Sequence, residues 1–337
     1  MFAGEVDLKT WYKPHVDKQI LKELSKRSDL KGFFDIAIFF LALLASGYLC
    51  IVTWDSWWSV LSLLLYGNIF YCKVISIQHE TNHETYFKSR RLNNFFYHIT
   101  SLLGGFEAVR WKWSHYHHHT YTIFTHKEVY DYENNSPRPT EPIRFLLNFL
   151  PLGPIINIQK VRHFTHFEII KHSLGIISNV VKITVPENEI KKVINSSRLY
   201  VLFWFIVIII SVVYGTWLAV LMILLPPFYG NTILMICTMT QHAGLAENTK
   251  DHRKSTRTVI LNPYFSFLYS NMEYHIEHHI FPKIPCHNLK KLHKVIKDQM
   301  PRPKTGVIDA YKAIIPAIFK QAKDINYCID VHLPSSN

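Results

Sequence analysis

The sequence predicts an all-α integral membrane protein: four transmembrane helices arranged as two hairpins, with a cytoplasmic helical cap holding a histidine-rich di-metal site. Three observations carry this expectation: long apolar tracts, the placement of lysine and arginine beside them, and histidines grouped at helical spacing.

The first 32 residues are polar and charged, so no cleavable signal sequence is expected and the segment 1–32 reads as cytoplasmic. Residues 33–52 carry only Asp35 as a charge, and residues 57–77 carry only Lys73, near enough to an end to snorkel. Residues 199–240 are nearly uncharged. A crossing helix needs roughly 20 residues, so this tract holds two spans, 199–214 and 217–240, turning near Tyr214, Gly215 and Thr216. Pro226 and Pro227 are expected to kink the last span, which neighbouring helices in a bundle tolerate.

Orientation follows from charge. Lys9, Lys13, Lys18, Lys22, Lys26, Arg27 and Lys31 precede the first span, whereas the turns at 53–56 and near 215 have no lysine or arginine. The positive-inside rule therefore sets both termini and the segment 78–198 in the cytoplasm. A net charge of +12 suits anionic headgroups or an acidic redox partner, and no recognition motif accompanies it that would favour nucleic acid. Five scattered cysteines without a CxxC pair argue against a disulfide framework and a thiolate metal site. Residues 91–106 and 143–158 are too short or too polar to cross and are expected along the interface. Residues 127–142 read as a loop, and the tail from about 322 as loosely ordered. The middle region 33–295 forms one membrane domain, and 296–337 a cytoplasmic C-terminal segment.

The chemistry resides in the histidines, of which there are 20. HETNH places His79 and His83 one turn apart on a helix. On its own this is the zinc-protease pattern, with Glu80 as the general base on a metal-bound water. The extended protease motif would need Gly and His where Tyr86 and Ser89 stand. In WSHYHHHTYT, His115, His118 and His119 fall at i, i+3 and i+4 and share a face, with His117 a bystander. NMEYHIEHHIFP repeats that spacing with His275, His278 and His279, and His242 follows the last span. Nine imidazoles exceed one zinc and suit two metals. His98, His163, His166, His172 and His293 read as surface or interfacial residues.

Imidazole alone does not choose among iron, copper, nickel and zinc. A site at the bilayer surface among aliphatic and aromatic segments is placed to receive a lipid chain, whose strong C–H bonds call for redox metals and dioxygen. Two irons fit that demand best.

The boxes HETNH, HYHHH and HIEHH, in this order between hairpins of spans, resemble those of the membrane-bound fatty acid desaturase family. The stretches VRWKWSHYHHHTYT and SNMEYHIEHHIFPKIPCHNLKKLH resemble the second and third boxes with their surroundings, and the likeness as a whole covers roughly residues 30–295. The run from Thr256, Arg257 and Thr258 to His293 resembles a mostly bacterial branch that includes a desaturase of an amino-acid-derived small molecule. The resemblance implies a di-iron centre ligated by His79, His83, His115, His118, His119, His242, His275, His278 and His279, with dioxygen as co-substrate. It implies a tunnel for the acyl chain beneath the metals. Because no His-Pro-Gly-Gly haem segment is fused here, it also implies electrons from a separate ferredoxin or cytochrome-type donor. Thr238 stands where family members often carry an asparagine that holds a water on iron. Glu80, Asn271 and Glu277 are candidates to orient the imidazoles, and each equally fits a solvated or helix-capping role.

The expected activity is lipid desaturation. A lipid hydroxylase or ketolase on the same scaffold is the alternative. A membrane zinc protease would leave two boxes unexplained, and a metal transporter would carry its ligands near the bilayer midplane.

Overall fold

The computed structural model describes residues 11–133, 141–153 and 165–334. Among these residues the chain is helical and forms no strand; isolated bridges pair Thr258 with Tyr274 and Val259 with Lys304.

Helix α1 (Asp29–Val52) starts where the Ser28 hydroxyl accepts from Lys31 N and ends at a tight turn containing Asp55 at φ 62°. Helix α2 (Trp58–Asn82) runs antiparallel to it and continues past the apolar tract as far as the first histidine box. It stops where Glu84 adopts φ 60° and Thr85 N donates back to Glu80 O. Helices α3 (Arg90–Gly104) and α4 (Ala108–Thr120) follow, separated by Gly105 at φ 70°. Glu107 caps α4 by accepting from Val109 N and Arg110 N, at 3.0 and 2.7 Å. Helix α5 (Thr165–Ser173) packs on α6 (Ile190–Val213), which begins nine residues before the apolar tract expected as the third span. The turn after α6 falls at Tyr214 and Gly215, with Gly215 at φ 62°.

Among the described residues, three helices are long and apolar enough to cross a membrane: Asp29–Val52, Trp58–Asn82 and Glu187–Val213. The outward faces of α1 and α6 carry exposed Phe34, Leu41, Leu44, Leu202, Phe205 and Val212, surface that only a lipid solvent accommodates at this density. In contrast, α2 is buried at the centre of the bundle.

The fourth apolar tract is not a single helix. It divides into a π-helical turn at Val220–Leu224, a short helix at Pro226–Tyr229, and α7 (Thr232–His242). Pro226 and Pro227 have no N–H to donate, so the expected kink becomes two breaks. Neighbours satisfy the freed backbone groups. Asn68 Oδ1 accepts from Ile233 N at 2.8 Å, Tyr66 OH donates to Met222 O at 3.2 Å, and Tyr229 OH donates to Leu221 O at 2.9 Å. Gly67 and Gly230 touch backbone to backbone here, leaving no room for a Cβ on Gly230.

Further along the chain come α8 (His275–Ile280), α9 (Cys286–Ile296) and α10 (Val307–Gln321), the last packed on α7. Of the stretch expected along the interface at 143–158, Pro142–Leu147 forms a helix, and 154–158 lie outside the described residues. Within the expected loop 127–142, Lys127–Val129 forms one 3-10 turn. The tail from 322 is irregular but tied down, with Ile329 N donating to Gly244 O at 2.8 Å.

Candidate metal centre

Four helices bring their histidines to one buried point. Helix α2 delivers His79 and His83, α4 delivers His115, His118 and His119, α7 delivers His242 at its last residue, and α8 delivers His275, His278 and His279.

The nine form two groups. In the first, the ligand atoms of His79, His83, His115, His119 and His278 lie within 4.8 Å of one another; in the second, so do those of His118, His242, His275 and His279. The division follows helical geometry. Residues at i and i+4 are about 40° apart around a helix, while i+3 lies on the other side of i, about 100° from i+4. So His115 and His119 enter the first group while His118 crosses to the second, and His275 and His279 enter the second while His278 crosses to the first.

The donor set fits metal ions. Nδ1 of His115 meets Glu133 Oε2 at 2.8 Å, Nδ1 of His118 meets Asp131 Oδ2 at 2.7 Å, and Nδ1 of His242 meets Ser255 O at 2.9 Å. Each acceptor fixes the proton on Nδ1 and leaves the Nε2 lone pair facing inward. There, His115 Nε2 is 2.9 Å from His83 Nε2 and 3.2 Å from His119 Nε2, and His242 Nε2 is 3.0 Å from His275 Nε2. Converging lone pairs repel unless a cation sits between them. Two nitrogens each about 2.1 Å from one metal at a right angle are about 3.0 Å apart, the spacing seen here. Burial first, and then neighbouring imidazoles, hold His83, His119, His275 and His279 well below the ordinary imidazole pKa, which keeps them neutral as ligands must be. His118 departs from this pattern: burial lowers its pKa, but the charge and hydrogen bond of Asp131 together with the charge of Glu133 outweigh burial and raise it.

Asp131 and Glu133 were not identified from the sequence, where they fall inside a segment read only as a loop. Asp131 also accepts from Ile123 N at 2.9 Å and Glu133 N at 3.0 Å, so the loop is wound onto the carboxylate that holds His118. Arg257, in the Thr256-Arg257-Thr258 run, donates to Thr240 O at 2.6 Å and Ala243 O at 3.1 Å, clamping the C-terminal end of α7 beside His242. Trp111 lies flat on His115 at 4.4 Å.

The three candidate orienting residues have different surroundings. Glu80 accepts from Thr85 Oγ1 at 3.1 Å and Cys286 N at 3.2 Å, with its other oxygen 3.9 Å from His278 Nδ1. Glu277 turns away from the imidazole groups because Thr258 Oγ1, at 2.6 Å, and His293 Nδ1, at 2.5 Å, occupy its oxygens. His293 is thus a structural partner rather than a surface residue. Asn271 sits at φ 56° and lines a separate cavity with Asp35 and Tyr86. His117 bonds Tyr130 O and stays outside both groups. Of the other lone histidines, His98 is exposed as expected. His172 is buried against Ser178, and His166 is packed on Trp204 and Phe228, because α5 folds onto α6. His163 lies outside the described residues.

A cavity of about 780 Å³ opens on both groups, touching His79, His115, His118, His242 and His275. Tyr71, Ile75, Leu234, Met235 and Met272 supply apolar wall from inside the bundle, and Arg110, Lys127 and Asn148 supply polar wall. Thr238, one turn before His242, lines it too and meets Tyr269 OH at 3.2 Å.

The fatty acid desaturase family profile matches residues 55–311, about three quarters of the chain, including every box and His242. The chain belongs to the fatty acid desaturase family. No curated protein sequence matches it. Family and histidine groups together identify this desaturase-family protein as a metal-binding membrane oxidoreductase of lipid or acyl substrates. They also leave HETNH no role as a protease motif, since its two histidines share their group with three from other boxes.

Proposed function

We propose that this protein is a di-iron desaturase that introduces a carbon–carbon double bond into a lipid acyl chain, using dioxygen and electrons from a separate ferredoxin or cytochrome-type donor. The observation that carries this reading is the cavity that joins both imidazole groups to an apolar pocket within the bundle. The first metal belongs to His79, His83, His115, His119 and His278, and the second to His118, His242, His275 and His279.

Two irons, when bound, supply the redox power needed to use dioxygen against an unactivated alkyl C–H bond. The protein's own residues do the rest. Asp131 and Glu133 hold His118 and His115 in one tautomer and orientation. Leu234, Met235 and Met272 receive an alkyl chain and exclude water, while the thioethers adapt to its bends. Thr238 and Tyr269 present hydroxyls to the cavity beside His242, where they can orient a water.

Four membrane crossings accompany this reading, the fourth being the broken tract 217–240, with the histidine cap and both termini in the cytoplasm. The satisfied breaks in that tract and the lysines before α1 support it. Residues 33–295 would form the membrane domain, flanked by cytoplasmic segments 1–32 and 296–337.

Elemental analysis of detergent-purified protein beside His118→Ala and His279→Ala tests the site. About two irons per chain, diminished in both variants, are expected. A single zinc that survives both substitutions would sink the proposal. Lipid profiles of an expressing host then separate alkenyl products from the hydroxylated ones of the alternative chemistry.

A further inference from the structure

An aromatic stack leads from the surface to the second imidazole group. Trp11 lies flat on His252, with ring centroids 4.2 Å apart and planes 11° from parallel. The His252 ring is in turn 5.0 Å from that of His279. Trp11 is partly exposed, whereas His252 is buried and its Nδ1 has no hydrogen-bond partner among the described residues. An orphaned imidazole nitrogen is unfavourable, so hydrogen bonding at that atom does not account for this ring beside the metal site.

The stack is held firmly. Tyr12 N donates to Lys250 O at 3.1 Å, the Arg253 guanidinium sits 3.2 Å from the Tyr12 ring centre, and His15 and Gln299 exchange two hydrogen bonds. These ties, with Asn288 Nδ2 on Leu24 O, join segments 11–27, 247–255 and 286–299 into one face. That face carries twelve lysines and arginines against five acidic residues, with Lys13, Lys22, Lys254, Lys291 and Lys294 exposed.

We propose that this basic face receives an acidic one-electron carrier protein, and that Trp11 and His252 form the entry route for electrons to the second metal group. The inference rests on the di-metal desaturase reading. In that reaction the alkyl chain gives up two hydrogens with their electrons, the carrier is oxidised twice to give two more electrons, and with two protons one dioxygen becomes two waters. Electron tunnelling weakens steeply with distance, so a short aromatic path beneath a docking surface determines where the carrier must bind. An anionic membrane would match the charge but has no use for the stack.

The test uses the full iron-loaded protein in detergent, without oxygen, and two acidic probes: a reduced [2Fe–2S] ferredoxin and a reduced cytochrome b5 haem domain. Carrier reoxidation is followed by stopped flow, carrier binding is measured separately without turnover, and dithionite with methyl viologen serves as a small reductant that needs no docking. Trp11→Leu is expected to slow reoxidation severalfold, with Trp11→Phe retaining most of the rate and binding unchanged. Lys254→Glu with Lys294→Glu is expected to weaken low-salt binding by about tenfold or more. Lys191→Glu, on another face, should bind as wild type. Dithionite should reduce all of them alike.

Wild-type reoxidation rates in Trp11→Leu would overturn the route, as would an equal loss with dithionite. Charge reversals that leave carrier binding intact but abolish co-sedimentation with anionic vesicles would assign the face to the membrane instead. If dithionite reduces the wild type but neither carrier does, the port fails while the metal reading stands. A wild type that holds no reducible metal defeats both.

Discussion

Asp131 Oδ2 lies 2.7 Å from His118 Nδ1, thirteen residues further along the chain and fully buried with it. The pair sets the proton on Nδ1, and the same carboxylate accepts from Ile123 N and Glu133 N. The segment that follows α4 therefore controls how His118 faces the other imidazoles.

Asp131→Asn and Glu133→Gln should each weaken metal retention by about 10- to 100-fold, since the imidazole loses both its orientation and its negative partner. Iron remaining after dialysis against a graded chelator measures this. Retention equal to wild type in both variants would remove the carboxylates from the site.

Arg110 and Glu168 form a buried ion pair at 3.1 Å, with side chains 8% and 6% exposed, joining α4 to α5. Glu168→Gln leaves the guanidinium unpaired and should cost about 3–5 kcal/mol, whereas Arg110→Met with Glu168→Leu should be close to neutral. Melting temperatures in detergent compare the three proteins, and a single variant as stable as the double one contradicts the prediction.

Asn68 bridges the break before α7, accepting from Ile233 N at 2.8 Å. Asn68→Leu strands that N–H inside the bundle, at a cost of about 1–3 kcal/mol. Because α7 ends in His242, metal retention by the second group should loosen in parallel. Unchanged stability and iron content would mean that another group satisfies the amide.

His166, on α5 and so outside the spans, is stacked on Trp204 of α6, and burial lowers its pKa from 6.5 to about 4. The folded state therefore favours the neutral ring. The stabilisation is complete above the unfolded pKa near 6.5 and is lost as pH falls towards about 4, on the order of 3 kcal/mol. His166→Phe should flatten the fall in melting temperature over that window, and a pH profile parallel to wild type would show that other groups govern it.

The eight candidate histidines of the three boxes were legible in the sequence because a helix places i, i+3 and i+4 near one another whatever surrounds it, and His242 was legible only by its place just after the last apolar tract. His252 was not, since a single histidine in HRKS carries no periodic signal and acquires its place only when Trp11 folds over it. Glu277 was legible as a carboxylate inside the third box, but its partners, His293 and Thr258, are set by the packing of α9 and by the bridge at Thr258.

The sequence by itself determined that long apolar helices and histidine clusters share one chain, because hydropathy and helical period are local properties. Only the tertiary structure decided the division of the nine into five and four, with His118 and His278 each leaving its own cluster for the other group. That division depends on how α4 and α8 are rotated against α2 and α7. Side-chain packing, the carboxylates of the loop after α4 and the broken backbone before α7 fix those rotations, and none of them is a property of the boxes themselves.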